Sequence, residues 1–222
     1  TLVHGHRDRV DEVRDLARSV RDGRFLYIRN FMPHLSYNQP SAWPDLGEIR
    51  HEFYRLCNRE SMTPAQWHFA GPTRPVEELY DCLNDPQNLK NLSESENHEN
   101  ILVRMRGGLL KHLIQSRDLG FVPEYEAWVA CKDSSGWENG LTGEIDLKKI
   151  LRAAYSVGRA GEKKLLGLLN SEEESVRYWG AIGLAAGKGK LSQKGILVLR
   201  EALLDSSPSV RIEAANALAT HG

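Results

Sequence analysis

Four side chains near the start of the chain have the chemistry to meet an anion. His4, His6, Arg7 and Arg9 fall within six residues of one another. In an extended segment, alternation puts His4 and His6 on one face and Arg7 and Arg9 on the other. An arginine fork matches an oxyanion and an imidazole donates from its ring, so either pair suits an anionic group. The same arginines can instead pair with Asp8, Asp11 or Glu12 and only fix the loop. His4-Gly5-His6 has no third ligand at a defined spacing, which makes it a poor metal pair. His34, Tyr37, Asn38, Trp43 and Trp67 could line a wall for sugar C–H surfaces, although anchoring a Pro-rich loop is the plainer use of such aromatics. Cys57, Cys82 and Cys131 are odd in number and lack C-x-x-C spacing, which fits free thiols better than a zinc site or a disulfide framework.

The elements that must position these residues are short. At 222 residues the chain can bury a core without disulfides, and two units are expected. A net charge of −1 leaves no bulk field for nucleic acid or an anionic membrane, and no apolar run approaches the roughly 20 residues that span a bilayer. Residues 17–31 read as two strands around Asp22-Gly23, a dipeptide suited to positive φ in a hairpin turn. Three prolines within residues 33–46 predict an irregular loop. Ile49, Phe53 and Leu56 predict a helix over 48–62, with a weak return strand at 67–69. Ser93-Glu94-Ser95-Glu96 offers N-cap chemistry for a long helix with Ile101, Met105, Leu109 and Leu113 on its inner face, lying across a small sheet. Arg104 and Arg106 on that helix are expected in solvent.

Residues 71–92, GPTRPVEELYDCLNDPQNLKNL, join a strand at 77–81 to a turn at Asn84-Asp85-Pro86 and a capped loop. This string resembles the (R/K)P-x-EELYDL-x-x-DP-x-E-x-x-NL signature in the C-terminal subdomain of formylglycine-dependent sulfatases, of the alkaline phosphatase superfamily. Cys82 stands where Leu is usual and Asn88 where Glu is usual. The resemblance extends to residues 5–35, GHRDRVDEVRDLARSVRDGRFLYIRNFMPHL, and to residues 109–124, LLKHLIQSRDLGFVPE, covering roughly residues 4–130. Beyond a Gly-, Ser- and Asn-rich stretch at 131–144, Ser175-Val176-Arg177 with Ala181, Leu184 and Ala185 recurs 34 residues later as Ser209-Val210-Arg211 with Ala215, Leu218 and Ala219. That pattern resembles HEAT-type helical repeats, including the short form of phycobilisome-lyase-like proteins. The expected fold class is α+β: a small antiparallel sheet packed by a long helix over 1–130, a linker at 131–144, and an all-α HEAT-like segment over 145–222.

The resemblance implies a sulfuric ester hydrolase whose nucleophile is a formylglycine made from C/S-x-P-x-R, beside a calcium held by acidic pairs. None of the three cysteine contexts, LCNRE, YDCLN and VACKD, fits that motif, and the acidic pairs are not found. The chain therefore reads as the non-catalytic C-terminal part of a sulfatase, opening on Thr1-Leu2-Val3 inside a family motif like a fragment. Formylglycine and calcium are expected in a missing N-terminal catalytic domain, which is also the expected partner. The implied substrate is a sulfated polysaccharide or glycosaminoglycan, met by His4, His6, Arg7 and Arg9, and the implied location is periplasmic or extracellular. Arg177 and Arg211 are expected to bond Asp, Glu or carbonyl groups between stacked helices. A rival reading takes the chain as an interaction module whose repeats bind a protein partner.

Overall fold

A computed structural model describes residues 1–57, 61–142 and 145–222, which divide into two compact units, Thr1–His112 and Leu113–Gly222. The first unit is built on a four-stranded sheet in the order β1-β2-β3-β4, antiparallel throughout: β1 Val3–Arg7, β2 Ala17–Arg21, β3 Phe25–Asn30 and β4 Glu77–Asp81. Opposed residues share a face, so the row His4, Val20, Tyr27 and Leu79 lies on one side of the sheet. The last three of that row are fully buried.

The β2–β3 hairpin turns at Asp22-Gly23-Arg24, but not by positive φ. Among the described residues the glycines with positive φ are Gly158 and Gly189. The turn is held by a side chain instead: Asp22 Oδ1 accepts from the amides of Arg24 and Phe25 at 2.8 and 2.6 Å. An aspartate that satisfies the turn amides removes the need for a left-handed residue.

After an irregular loop, α1 covers Glu48–Arg55 and α2 Pro64–Ala70. The expected helix over 48–62 is shorter, and its apolar face is not a core face: Ile49 is 74% exposed and α1 buries no residue. Residues 58–60 lie outside the described chain. At 67–69 the chain is helical where a strand was expected. Thr63 and Gln66 form a reciprocal capping box and Pro64 occupies the first turn, start signals that outweigh the β-preference of Trp67 and Phe69.

The long helix α3 runs Glu99–Gln115, with Leu102, Met105, Leu109 and Leu113 buried. It crosses one face of the sheet, reaching β4 through Arg106 and Glu77 and β1 through His112 and His4. Arg104 and Arg106 are not simply solvated: Arg104 pairs with Asp22 at 2.6 Å and Arg106 with Glu77. Ser95 does not cap; its hydroxyl meets His98 Nδ1 at 2.9 Å.

The second unit is helical: α4 Glu124–Ala130, α5 Gly136–Thr142, α6 Leu147–Ala154, α7 Glu162–Leu168, α8 Glu174–Ala185, α9 Gln193–Ala202 and α10 Pro208–His221. The stretch expected as a linker at 131–144 carries α5, and the boundary between compact units falls within α3. Polar composition misleads there because Ser135 and Glu138 are a capping box: each accepts the other's amide, at 3.2 and 2.8 Å. α8 is the hub, packed by α6, α7 and α10, while α10 also meets α9 and α4. α7 and α8 approach closely because Gly180 and Gly183 sit at the crossing, where a Cβ at Gly183 would lie 2.4 Å from Leu165. Val176, Leu184 and Val210 are buried and Leu218 is partly buried at the seams. The Trp179 indole donates to the Phe121 carbonyl at 2.8 Å, and the Glu126 carboxylate accepts from the hydroxyls of Ser207 and Ser209, the latter at 2.7 Å.

Candidate functional site

The four anion-binding candidates lie on and just beyond β1, at the edge of the sheet, in different surroundings. His4 faces α3 and stacks on His112 with ring centroids 3.7 Å apart and planes 10° from parallel. Burial and the neighbouring His112 lower its pKa against the opposing hydrogen bond to the Gly108 backbone, so the His4 ring is neutral at pH 7. His6 shares the face of His4 but is exposed, opposite Arg18. On the other face, Arg7 is half-exposed and its Nε lies 2.9 Å from Asp15 Oδ2. Asp15 is buried and also clamped by the wholly buried Arg74. Arg9 is exposed beyond the strand. The local carboxylates take other partners than those expected: Asp8 pairs with the buried Arg18 at 2.8 Å, and Glu12 accepts the Ala42 amide. Asp11 carries the left-handed backbone, φ 50°, of the tight turn in which Val10 and Val13 bond each other.

The signature is a buried polar seam. Glu77 accepts from Tyr27 and from Arg106 Nε, the latter at 2.7 Å. Glu78 accepts from Asn30 Nδ2 at 2.6 Å and from the hydroxyls of Tyr37 and Tyr80, with the half-exposed His68 Nε2 3.4 Å away. Burial, reinforced by Glu78, pushes both phenols far above the ordinary tyrosine pKa, so they remain donors. Arg24 forks onto Asp81, and that hydrogen bonding holds the Asp81 carboxyl well below the usual carboxylate range despite desolvation. The outer edge of β4 is closed by the end of the motif: Asn91 Oδ1 accepts the Leu79 amide at 2.9 Å, Leu92 donates to the Leu79 carbonyl at 2.8 Å, and Asn91 Nδ2 and Ser93 Oγ both donate to the Glu77 carbonyl at 3.0 Å. The two departures from the family pattern touch each other, Cys82 Sγ donating to Asn88 Oδ1 at 3.4 Å. Tyr80 and Asp81 thus hold the fold together.

The loop aromatics are dispersed. Tyr37 is turned to Glu78, Asn38 is buried against Arg50, and Trp43 is 80% exposed. Residues that the sequence did not single out, Asp15, Arg74 and Glu77, carry charge contacts in the interior; Asp15 and Arg74 are 59 positions apart, a pairing only the fold reveals. The buried carboxylates of Asp15, Glu77, Glu78 and Asp81 are taken by cationic or hydroxyl donors, and among the described residues no three of His, Cys, Asp and Glu converge to hold a metal.

No family model matches the chain. Over 126 residues it is 36% identical to an ulvan-active sulfatase of Formosa agariphila, an alignment covering 57% of this chain and 21% of that protein. More than half of this chain is thus similar to part of a sulfatase. It spans about a fifth of the length of the curated relative it matches. Among the described residues no helix is long and apolar enough to cross a membrane.

Proposed function

We propose that this chain is the non-catalytic C-terminal part of a secreted or periplasmic sulfatase acting on a sulfated polysaccharide or glycosaminoglycan. In this reading the sulfur chemistry, with its formylglycine and calcium, belongs to a catalytic domain elsewhere in the protein. The first unit completes the substrate cleft, and the HEAT-like helices add a docking surface. The identity to the ulvan-active sulfatase carries the proposal. Its relevance to binding comes from the β1 edge, where His6, Arg7 and Arg9 are exposed to solvent. His4, neutral and stacked, positions the strand, while His6 donates to a sugar or sulfate oxygen and Arg7 forks onto a sulfate.

The test is His6→Ala in the full-length enzyme. Hydrogen bonds to charged groups contribute about 1.5–3 kcal/mol, so kcat/KM on the sulfated polysaccharide is expected to fall about tenfold or more. Turnover of a small aryl sulfate, which does not reach the strand, should be unchanged. Equal losses on both substrates, or none on either, would remove the β1 edge from the cleft.

A further inference from the structure

The helical unit carries its own template for what belongs on its outer side. Arg177 of α8 makes two kinds of contact. Its Nη1 donates to the carbonyls of Ser171 and Glu172, both at 2.9 Å, and ties down the turn before its own helix. Its Nε and Nη2 fork onto the Asp205 carboxylate at 2.7 and 2.9 Å, in the turn of the next helix pair. Arg211 stands 34 residues on and repeats the first kind: its Nη1 donates to the carbonyls of Asp205 and Ser206 at 2.7 and 3.1 Å. The second kind has no counterpart, since among the described residues no carboxylate pairs with Arg211.

The apolar positions tell the same story. Leu169, Ala181 and Ala185 are buried in the core that α9 and α10 share with α7 and α8. Their equivalents one repeat later are Leu203, Ala215 and Ala219, all exposed. Ile212, in the place of the half-buried Tyr178, is 61% exposed, and the neighbouring Leu204 is 88% exposed. Small residues at i and i+4 let a helix approach closely, and here they lie beside a cation whose counterpart in the preceding repeat is paired.

We propose that the outer face of α9 and α10 receives one further helix pair of the same kind, continuing the stack at the same spacing, with an Asp or Glu in its inter-helix turn that forks onto Arg211. Each such repeat hides its apolar face only against a neighbour. This rests on the helical unit alone and stands or falls apart from the sulfatase reading.

The experiment appends a second copy of residues 189–222 directly after Gly222 of the whole chain. The copy should add helical signal in proportion to its length, melt in one transition with the parent helices, and raise Tm by about 5 °C. Asp205→Asn made only in the copy should remove part of that gain when Arg211 is present and none when Arg211→Met is also present, a non-additive cycle. Ala215→Arg should abolish the gain while leaving the melt of the unextended chain unchanged, because Ala215 is exposed there. A copy that stays unfolded or melts separately, an Asp205→Asn effect indifferent to Arg211, or an unextended chain that already dimerises through Ile212 would each overturn the proposal.

Discussion

Asp22 shows how one carboxylate can set a turn and a pH limit together. Burial disfavours its charge, yet the Phe25 and Arg24 amides and the Arg104 guanidinium outweigh that cost and lower its pKa from the ordinary 3.8 to about 2. A carboxyl with a depressed pKa gives stability that is complete above its unfolded value and is lost as pH falls through the folded one. The Asp22 contribution should therefore fade between about pH 4 and pH 2. Chemical denaturation at intervals across that window should show Asp22→Asn with a flatter profile than the parent, the two converging at the acid end. Parallel profiles would mean that the carboxylate does not gain charge stability on folding. Asp22 was recognisable in the sequence as a turn residue, but its bond to Arg104, 82 positions away, was not. The same holds for the candidate site: the run from His4 to Arg9 is visible as chemistry, whereas the pairing of Arg7 with Asp15 and the stacking of His4 on His112 depend on which strands and helix converge.

Strand β4 coincides with the predicted span, and the hairpin and α3 were also legible, because each carries a strong periodic or turn signal. The failures lie where local start signals competed with apolar content. Thr63-Pro64 and Ser135 with Glu138 began helices in stretches read as a strand and a linker, and α1 carries helical spacing without a core to face. Edge closure of β4 was not legible either, since Asn91 acts across a turn. Asn91→Ala deletes the acceptor for the Leu79 amide and the donor to the Glu77 carbonyl, each worth about 0.5–1.5 kcal/mol. A total loss of about 2 kcal/mol is expected by urea titration, with faster hydrogen exchange at the Leu79 amide. Unchanged exchange there would show that Leu92 and Ser93 close the edge unaided.

At the scale of the molecule, the two compact units make a division testable by expression. Residues 113–222 contain Phe121 and Glu126, whose carbonyl and carboxylate meet Trp179, Ser207 and Ser209. A fragment starting at 145 lacks all of these and leaves the buried Trp179 indole without its acceptor. The 113–222 fragment should melt cooperatively, and the 145–222 fragment should melt at least about 5 °C lower, by circular dichroism at matched concentration. Equal melting temperatures would show that residues 145–222 form an autonomous module. The charged seam through the sheet has a further consequence, for how the chain finds its pairing. Sliding β4 by two residues would keep every side chain on its own face, so alternation alone does not forbid it. In that arrangement Leu79 would oppose Arg29, and Asp81 would leave Arg24 to stand opposite Tyr27. Buried charges stripped of partners are strongly destabilising, so the misaligned sheet rejects itself. The ion pairs therefore penalise that wrong alignment, which a sheet refitted with an oily interior would tolerate.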